Sequence, residues 1–360
     1  MRLHLMSSFF KNFVEDMKDE DTSIAADGLS AGEFTGTIDT GSYLLNGLLS
    51  GSIFGGVPNN KVTAFAGESA TGKTFFVLGV VRQFLDANPT AGVMYYDTEA
   101  AVTREMMEDR GIDTSRVIIS EPQTIQQFRH HAIKSIDMYE KTPKDKRPPF
   151  MFVLDSLGLL STTKELEDIT AGAETRDMTK SQVIKAAFRV LTLKLAKAGI
   201  PMLVTNHVYE VIGSYIPQKE MGGGTGLKYA ASTIVFLGKK KERDSNKEVI
   251  GNIIKASTFK SRLSKENKVA EILLTYDKGL DRYYGLIDLA IKYNIFTKEG
   301  SRVGVSDGRK VYTKNIYQNP TEYFTDDVMQ RLDQAAKMEY SYGTPGREDA
   351  FEDIDSEVSD

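Results

Sequence analysis

The chain has 360 residues, 41% hydrophobic and 26% charged, a balance that excludes a disordered chain and leaves room for one large domain with appendages, or for two domains. It contains no cysteine, which excludes a disulfide framework and a thiolate metal site and fits a reducing compartment. The net charge is −5, but the last fourteen residues, REDAFEDIDSEVSD, hold seven acids and one arginine; the body without them stands at +1, so an acidic tail sets the sign.

At the amino end, Met6, Phe9, Phe10, Phe13, Val14 and Met17 fall on one face of a helix. Its polar face is mixed (Lys11, Glu15, Asp16, Asp19), unlike the basic face of a membrane-surface helix. This helix either folds back on its own core or docks on a neighbouring copy. MRLHLMSSFFKNFV has neither the apolar core nor the cleavage site of a secretory signal, and no apolar run in the chain approaches the roughly 18 residues of a membrane span. The expectation is a cytoplasmic protein with no membrane partner. DEDTSIAADGLSAGEFTG then reads as linker, so residues 1–36 form an arm.

From residue 37 to about 284, strands alternate with helices. KVTAFA (61–66), GVMYYDTE (92–99), PFMFVLDS (149–156), IPMLVTNH (200–207), STIVFLG (232–238), VIGNIIKAS (249–257) and KVAEILLTY (268–276) read as strands; 73–87, 124–140 and 176–198 read as helices. Continuous apolar strands between helices predict an α/β fold, a mostly parallel central sheet covered on both faces, with antiparallel pairs at its late edge. A small C-terminal portion follows over 285–340, and 341–360 reads as a disordered acidic tail.

GESATGKT (67–74) lies between the first of those strands and a helix, the context a phosphate-binding loop requires. Gly67, Glu68, Ser69, Ala70, Thr71 and Gly72 let the backbone wrap a phosphate chain, whose charge the exposed N–H groups and the helix start favour. Lys73 is placed to reach the β- and γ-phosphates, Thr74 to hold Mg²⁺, and Phe75 follows directly. In FVLDS the apolar run stops at Asp155, the carboxylate expected to hold the magnesium shell. YYDTE ends in Asp97 and Glu99; Glu99 is the first choice for activating a water against the γ-phosphate, Asp97 the reserve. VTNH ends in Asn206 and His207, and His207 is placed to sense that phosphate, or is an ordinary end-of-strand histidine. ATP and Mg²⁺ are the expected ligands.

Two polar segments follow these strands. The first, 161–182, leads into a helix on which Arg176 with Lys180, and Lys185 with Arg189, share faces. The second, 208–232, carries Gly222, Gly223, Gly224, Thr225 and Gly226 ahead of Lys228, with Tyr209 and Tyr215 able to stack on bases and Lys219 adding charge. Mobile loops directly after nucleotide-contacting strands suggest that phosphate state controls what they bind.

GESATGKT, YYDTEA, FVLDS, VTNH, GGGTGLKYAAS and KSR, in this order over residues 37–290, resemble the RecA-type homologous recombinases, and NHVYE and MGGGTG resemble the bacteriophage UvsX branch. The resemblance implies a RecA-like ATPase core over 37–284 and a filament of many copies on single-stranded DNA that pairs it with a homologous duplex. It implies ATP held between adjacent protomers, with Lys260 and Arg262 of KSR reaching the neighbour's γ-phosphate, and places Tyr284 near the nucleotide. It also implies that the two loops bind DNA, and that a mediator or single-strand-binding protein can be a partner. The family's glutamine at the sensing position is here His207, its adenine-stacking aromatic is Met106, and a nearby acid is Thr103. A ring-shaped helicase of the same superfamily would share every nucleotide motif, but such proteins carry an N-terminal domain larger than 36 residues. A small-molecule P-loop kinase would leave GGGTGLK without a purpose. A DNA-binding module using ATP only as a structural ligand would leave Glu99 without one.

Overall fold

The computed structural model describes residues 2–17, 22, 24–25, 35–172, 178–210, 219–222, 225–243, 249–275 and 279–343. Its central sheet has ten strands: β1 (Val62–Gly67), β2 (Gly92–Asp97), β3 (Val117–Ser120), β4 (Phe150–Asp155), β5 (Met202–Glu210), β6 (Lys219–Met221), β7 (Thr233–Arg243), β8 (Val249–Ser261), β9 (Val269–Thr275) and β10 (Gly279–Leu280). Their order is β10-β9-β8-β7-β1-β5-β4-β2-β3, with β6 attached to β5. From β7 through β1 to β3 every pairing is parallel; β8, β9 and β10 add antiparallel neighbours at one edge. This is the expected sheet, with β3, β6 and β10 added. Those three have only two to four residues each and carry too little pattern to be read alone.

Among the described residues twelve α-helices accompany it: α1 (Arg2–Met17), α2 (Tyr43–Ser50), α3 (Lys73–Ala87), α4 (Arg104–Glu108), α5 (Ile125–Glu140), α6 (Thr163–Thr170), α7 (Lys180–Ala198), α8 (Thr225–Ala230), α9 (Leu286–Lys292), α10 (Thr313–Gln318), α11 (Pro320–Tyr323) and α12 (Asp326–Tyr340). The alternation of strand side chains sorts them into two layers. Phe65, Tyr95, Val153 and Leu203 share a core with Leu45 and Leu48 of α2, Phe76 and Val80 of α3, and Leu332 and Ala336 of α12. Ala64, Tyr96, Phe152 and Val204 point the other way, onto Phe128 of α5, Phe188 and Leu191 of α7, and Leu227 of α8. Both faces are dry, as parallel strands require.

Local signals set the helix ends. Thr124 and Gln127 form a reciprocal capping box at the start of α5, and α7 stops at Gly199, which takes the left-handed conformation (φ 69°). Gly226 in the first turn of α8 fixes how closely α8 approaches α7: a Cβ there would lie 2.8 Å from both Ile184 Cγ2 and the Lys185 backbone nitrogen.

The segment 285–340 is continuous with the main core. Tyr340 and Ala336 of α12 pack against Gly47 of α2, and Asp333 accepts from Ser52 Oγ at 2.5 Å and Ile53 N at 3.0 Å. Glu339 ties α12 to β9 and α9, accepting from Lys268 Nζ (2.8 Å), Lys292 Nζ (2.6 Å) and the Tyr293 hydroxyl (2.7 Å). Burial alone would raise its pKa; the three donors overcome that and hold it at about 2. Ser341 still bridges to Ser264, and the expected acidic tail from 344 onward lies outside the described residues. On α1, Phe9, Phe10, Phe13 and Met17 are all about half exposed or more.

Two outcomes follow from this packing. Gly226→Ala lowers stability by about 1–3 kcal/mol in denaturant unfolding, because the backbone of α7 must yield. Glu339→Gln lowers it by about 1–2 kcal/mol at pH 7, solvent screening at Lys292 keeping the figure modest. A depressed carboxylate pKa stabilises above the unfolded value, so this deficit shrinks as pH falls from about 4.5 toward about 2. A pH-independent deficit would show that packing, not ionisation, carries it.

Candidate functional site

The parallel register lines up four strand ends. Gly67 of β1 pairs with His207 of β5, and Asp97 of β2 pairs with Asp155 of β4. The glycine loop, both acids and the Asn206-His207 pair therefore occur along one rim, at the carboxyl ends where open α/β sheets bind ligands.

The loop is shaped for an anion. Ala70 (φ 57°) and Gly72 (φ 87°) take left-handed conformations that turn backbone N–H groups inward, and α3 begins at Lys73. A Cβ on Gly67 would meet Thr71 Oγ1 at 2.6 Å and the Leu237 carbonyl at 2.7 Å, so this wall tolerates only glycine. The Lys73 ammonium is buried, and its hydrogen bonds go to neutral carbonyls, Gly67 O at 3.1 Å and Glu68 O at 2.9 Å. Burial pulls its pKa below the ordinary value against the opposing pull of Glu99 and Asp155. Such a charge gains strongly from phosphate oxygens. The Lys239 ammonium of β7 holds the loop from outside, 2.8 Å from the Ala70 carbonyl. No sequence motif marks that residue.

Asp155 is buried and accepts from three hydroxyls: Thr74 Oγ1 (2.8 Å), Tyr95 OH (2.8 Å) and Thr205 Oγ1. Burial, then the Asp155 charge, push the Tyr95 phenol well above its usual pKa, so it stays a donor. Thr74 and Asp155 thus form a hard-oxygen pair beside the loop, a donor set that fits Mg²⁺. Among the described residues no group of three or more His, Asp or Glu converges as a metal cage. A pair this small is completed by waters and phosphate oxygens, which is how Mg²⁺ is usually held.

Of the two acids after β2, Asp97 is spent on its own loop, accepting from Glu99 N (3.0 Å) and Val102 N (3.2 Å). Glu99 points across the rim. Its Oε1 accepts from Ser156 Oγ at 2.6 Å and lies 3.1 Å from His207 Nε2. Ser156, the last residue of FVLDS but given no role by it, is the first residue after β4, and His207 lies on β5, so one oxygen touches the roots of both polar segments. Asn206 extends the second root: its Nδ2 donates to Gly222 O (2.8 Å), and Gly222 N donates to His207 O (2.9 Å).

Of the DNA-binding candidates, Arg176, Gly223 and Gly224 lie outside the described residues, as does Tyr215. Thr225 opens α8, and Gly226 is buried beneath α7, where it serves close helix packing. Lys228 is exposed with its ammonium 5.0 Å from the centre of the Phe259 ring, Arg189 is exposed on α7, and Lys180 lies 3.5 Å from Glu165. Tyr209 is half exposed.

Lys260 and Arg262 stand elsewhere. Lys260 pairs with Ile234 of β7, level with Ala64, three residues before the loop and two strands aside. Its ammonium donates to the carbonyls of Lys228 (2.7 Å), Tyr229 (3.3 Å) and Ala231 (2.7 Å) at the end of α8. Arg262 is exposed, and its charge, after burial, lowers the pKa of both Lys260 and Lys61. Cations therefore gather at the opposite end of β1 from the phosphate loop.

A cavity of about 500 Å³ runs beside α3, walled by Thr40, Phe75, Gly79, Arg110 and Leu280 among others. Tyr284 is not part of its wall; its ring stacks on Tyr317 (5.6 Å between centroids) and its backbone N–H donates to Asp281. Thr103 caps α4 through the Met106 N–H, and Met106 packs against the core.

Residues 17–281 match the description of the RecA N-terminal domain. Over 255 residues the chain is 32% identical to the recombination and repair protein of Enterobacteria phage T4, a span of 71% of this chain and 63% of that protein's length. Over 269 residues it is 29% identical to protein RecA of Mycoplasma mycoides subsp. mycoides, covering 73% and 72% of the two chains. A crystal structure of the RadB recombinase aligns with a TM-score of 0.49 at 22% identity, over 68% of this chain and 99% of that one. No helix among the described residues is long and apolar enough to cross a membrane. The phosphate loop, the paired acids of β2 and β4 and the match over residues 17–281 agree, and the chain belongs to the RecA family.

Proposed function

We propose that this protein is an ATP-dependent DNA recombinase, which assembles as a filament on single-stranded DNA and pairs it with a homologous duplex. The names of its relatives, RecA and a phage recombination and repair protein, support that reading. The observation that carries it is the separation of two half-sites. The phosphate loop, Glu99 and Asp155 lie at one end of the sheet. Lys260 lies about 10 Å back along it and about another 10 Å to the side, and Arg262 lies further back still. They do not reach their own phosphate loop. A head-to-tail contact between copies brings the cation end of one to the loop of the next, and repetition gives a filament. The exposed apolar face of α1 supports the same contact. So does edge strand β3, whose Ile118 and Ile119 are half exposed at an unpaired sheet edge.

In this reading the loop N–H groups and Lys73 bind the triphosphate, and Mg²⁺ beside Thr74 and Asp155 would neutralise charge on its oxygens. Glu99 accepts the proton of a water attacking the γ-phosphorus as the bond to the ADP oxygen breaks. The neighbour's Lys260 and Arg262 counter the charge that develops there. To do so Lys260 must exchange its carbonyls at the end of α8 for phosphate oxygens, which links assembly to the helix within the second polar segment. His207 and Ser156, both on Glu99, relay the phosphate state to segments that hold DNA through Lys180, Arg189, Lys228 and the glycines near Gly222. Contacts to the DNA backbone make affinity fall steeply with salt.

Two variants test the chemistry and the shared site. Glu99→Gln should bind ATP and single-stranded DNA but hydrolyse about 10²–10⁴-fold more slowly. The double variant Lys260→Ala/Arg262→Ala should be similarly slow alone. Mixed in equal amounts, the two should regain up to about a quarter of normal turnover, because some junctions then hold an intact Glu99 opposite intact cations. Full turnover by a strict monomer, or no recovery on mixing, would overturn the shared site. Directional unwinding by rings would identify a helicase instead.

A further inference from the structure

We infer that the cavity beside α3 receives the base of the bound nucleotide, and that Arg110, backed by Phe75, is the residue that holds it. The inference rests on the nucleotide reading above and names a contact which that reading leaves open, since Met106 is turned into the core and Tyr284 onto Tyr317.

Position comes first. Phe75 directly follows Thr74, and Phe75, Gly79 and Arg82 form a stripe along α3 that walls the cavity. From Phe75 to Gly79 the stripe runs about 6 Å along the helix, a direction and length that suit a ribose and base leading away from phosphates at Thr74. The volume of about 500 Å³ falls within the range of small-ligand sites.

The walls supply a reason for their residues. Phe75 is a large apolar side chain left 37% exposed at the cavity mouth. The Arg110 guanidinium lies 4.3 Å from the centre of its ring, and Arg110 Nη1 is anchored on the Met106 carbonyl at 2.8 Å. One flat face of the guanidinium is covered by Phe75, so the group is held as a rigid plane against which a heterocycle can stack. Opposite, Gly79 keeps α3 open: a Cβ there would lie 3.2 Å from Leu280 Cδ1. Leu280 sits on β10, whose position depends on Arg282. That side chain donates to Asp39 at 2.7 Å and lies over the Tyr43 ring at 4.2 Å.

The test compares two probes on the full-length protein, ATP and inorganic tripolyphosphate, which carries the phosphates without the base. Arg110→Ala should weaken ATP binding about five- to twentyfold and leave tripolyphosphate within about twofold of wild type. Phe75→Ala, on α3, should do the same to a smaller degree. Arg110→Lys should behave like Arg110→Ala, because it keeps the charge and loses the plane. The unchanged tripolyphosphate affinity also reports that the phosphate loop is folded in each variant. If Arg110→Ala binds ATP normally while Lys73→Ala does not, the base lies elsewhere and the nucleotide reading survives. If Arg110→Lys restores ATP binding fully, or ATP and tripolyphosphate weaken equally, stacking is overturned. If the wild type binds neither probe, both readings fall.

Discussion

One oxygen of Glu99 organises the rim of the sheet. Ser156 donates to it from the end of β4, and His207 meets it from β5. A carboxylate held from two sides is fixed in direction, and both of its partners root a long polar segment. Any change in what Glu99 binds must therefore alter a contact with Ser156 or His207. His207 passes directly to Gly222 through backbone hydrogen bonding that Asn206 reinforces. In this proposed machine the catalytic base and the relay are one side chain, so hydrolysis and grip are coupled without a long chain of packed residues.

The second constraint is the rigidity of the sheet. Buried on both faces, its parallel strands hold the phosphate loop and the Lys260-Arg262 pair at fixed separation. The cations cluster with Lys61 at the far end, where burial first and the Arg262 charge second lower the pKa of Lys61 and Lys260. A concentration of like charge on a stiff frame is unfavourable in isolation and is relieved by an anion. In the proposed function the frame keeps the chain's own phosphate loop out of the cations' reach, so that a second copy supplies the anion.

The C-terminal portion contributes more than bulk. Glu339, Asp333 and Tyr340 bind α12 to α2, α9 and β9. The Asp39-Arg282 pair fastens the residues entering the core to the segment leaving β10. Thr40 and Leu280 beside that pair wall the cavity along α3. That cavity is thus closed by residues from distant parts of the sequence.

The sequence by itself determined the sheet class and placed the glycine loop and the acids at strand ends. Those features are local: alternating apolar runs, a fixed glycine-lysine-threonine spacing, and acids where strands stop. It ranked Glu99 above Asp97 as the expected water-activating acid; in the structure Asp97 accepts from backbone N–H groups of the loop after β2, whereas Glu99 faces Ser156 and His207. Tertiary structure alone decided what depends on strands distant in sequence lying side by side. Ser156 joined Glu99, Lys239 met the phosphate loop, Gly226 proved to be a packing glycine, and Tyr284 turned to Tyr317. Arg110 found Phe75 by the same route. In each case the contact comes from the neighbour that the register of the sheet and the packing of helices bring to the residue.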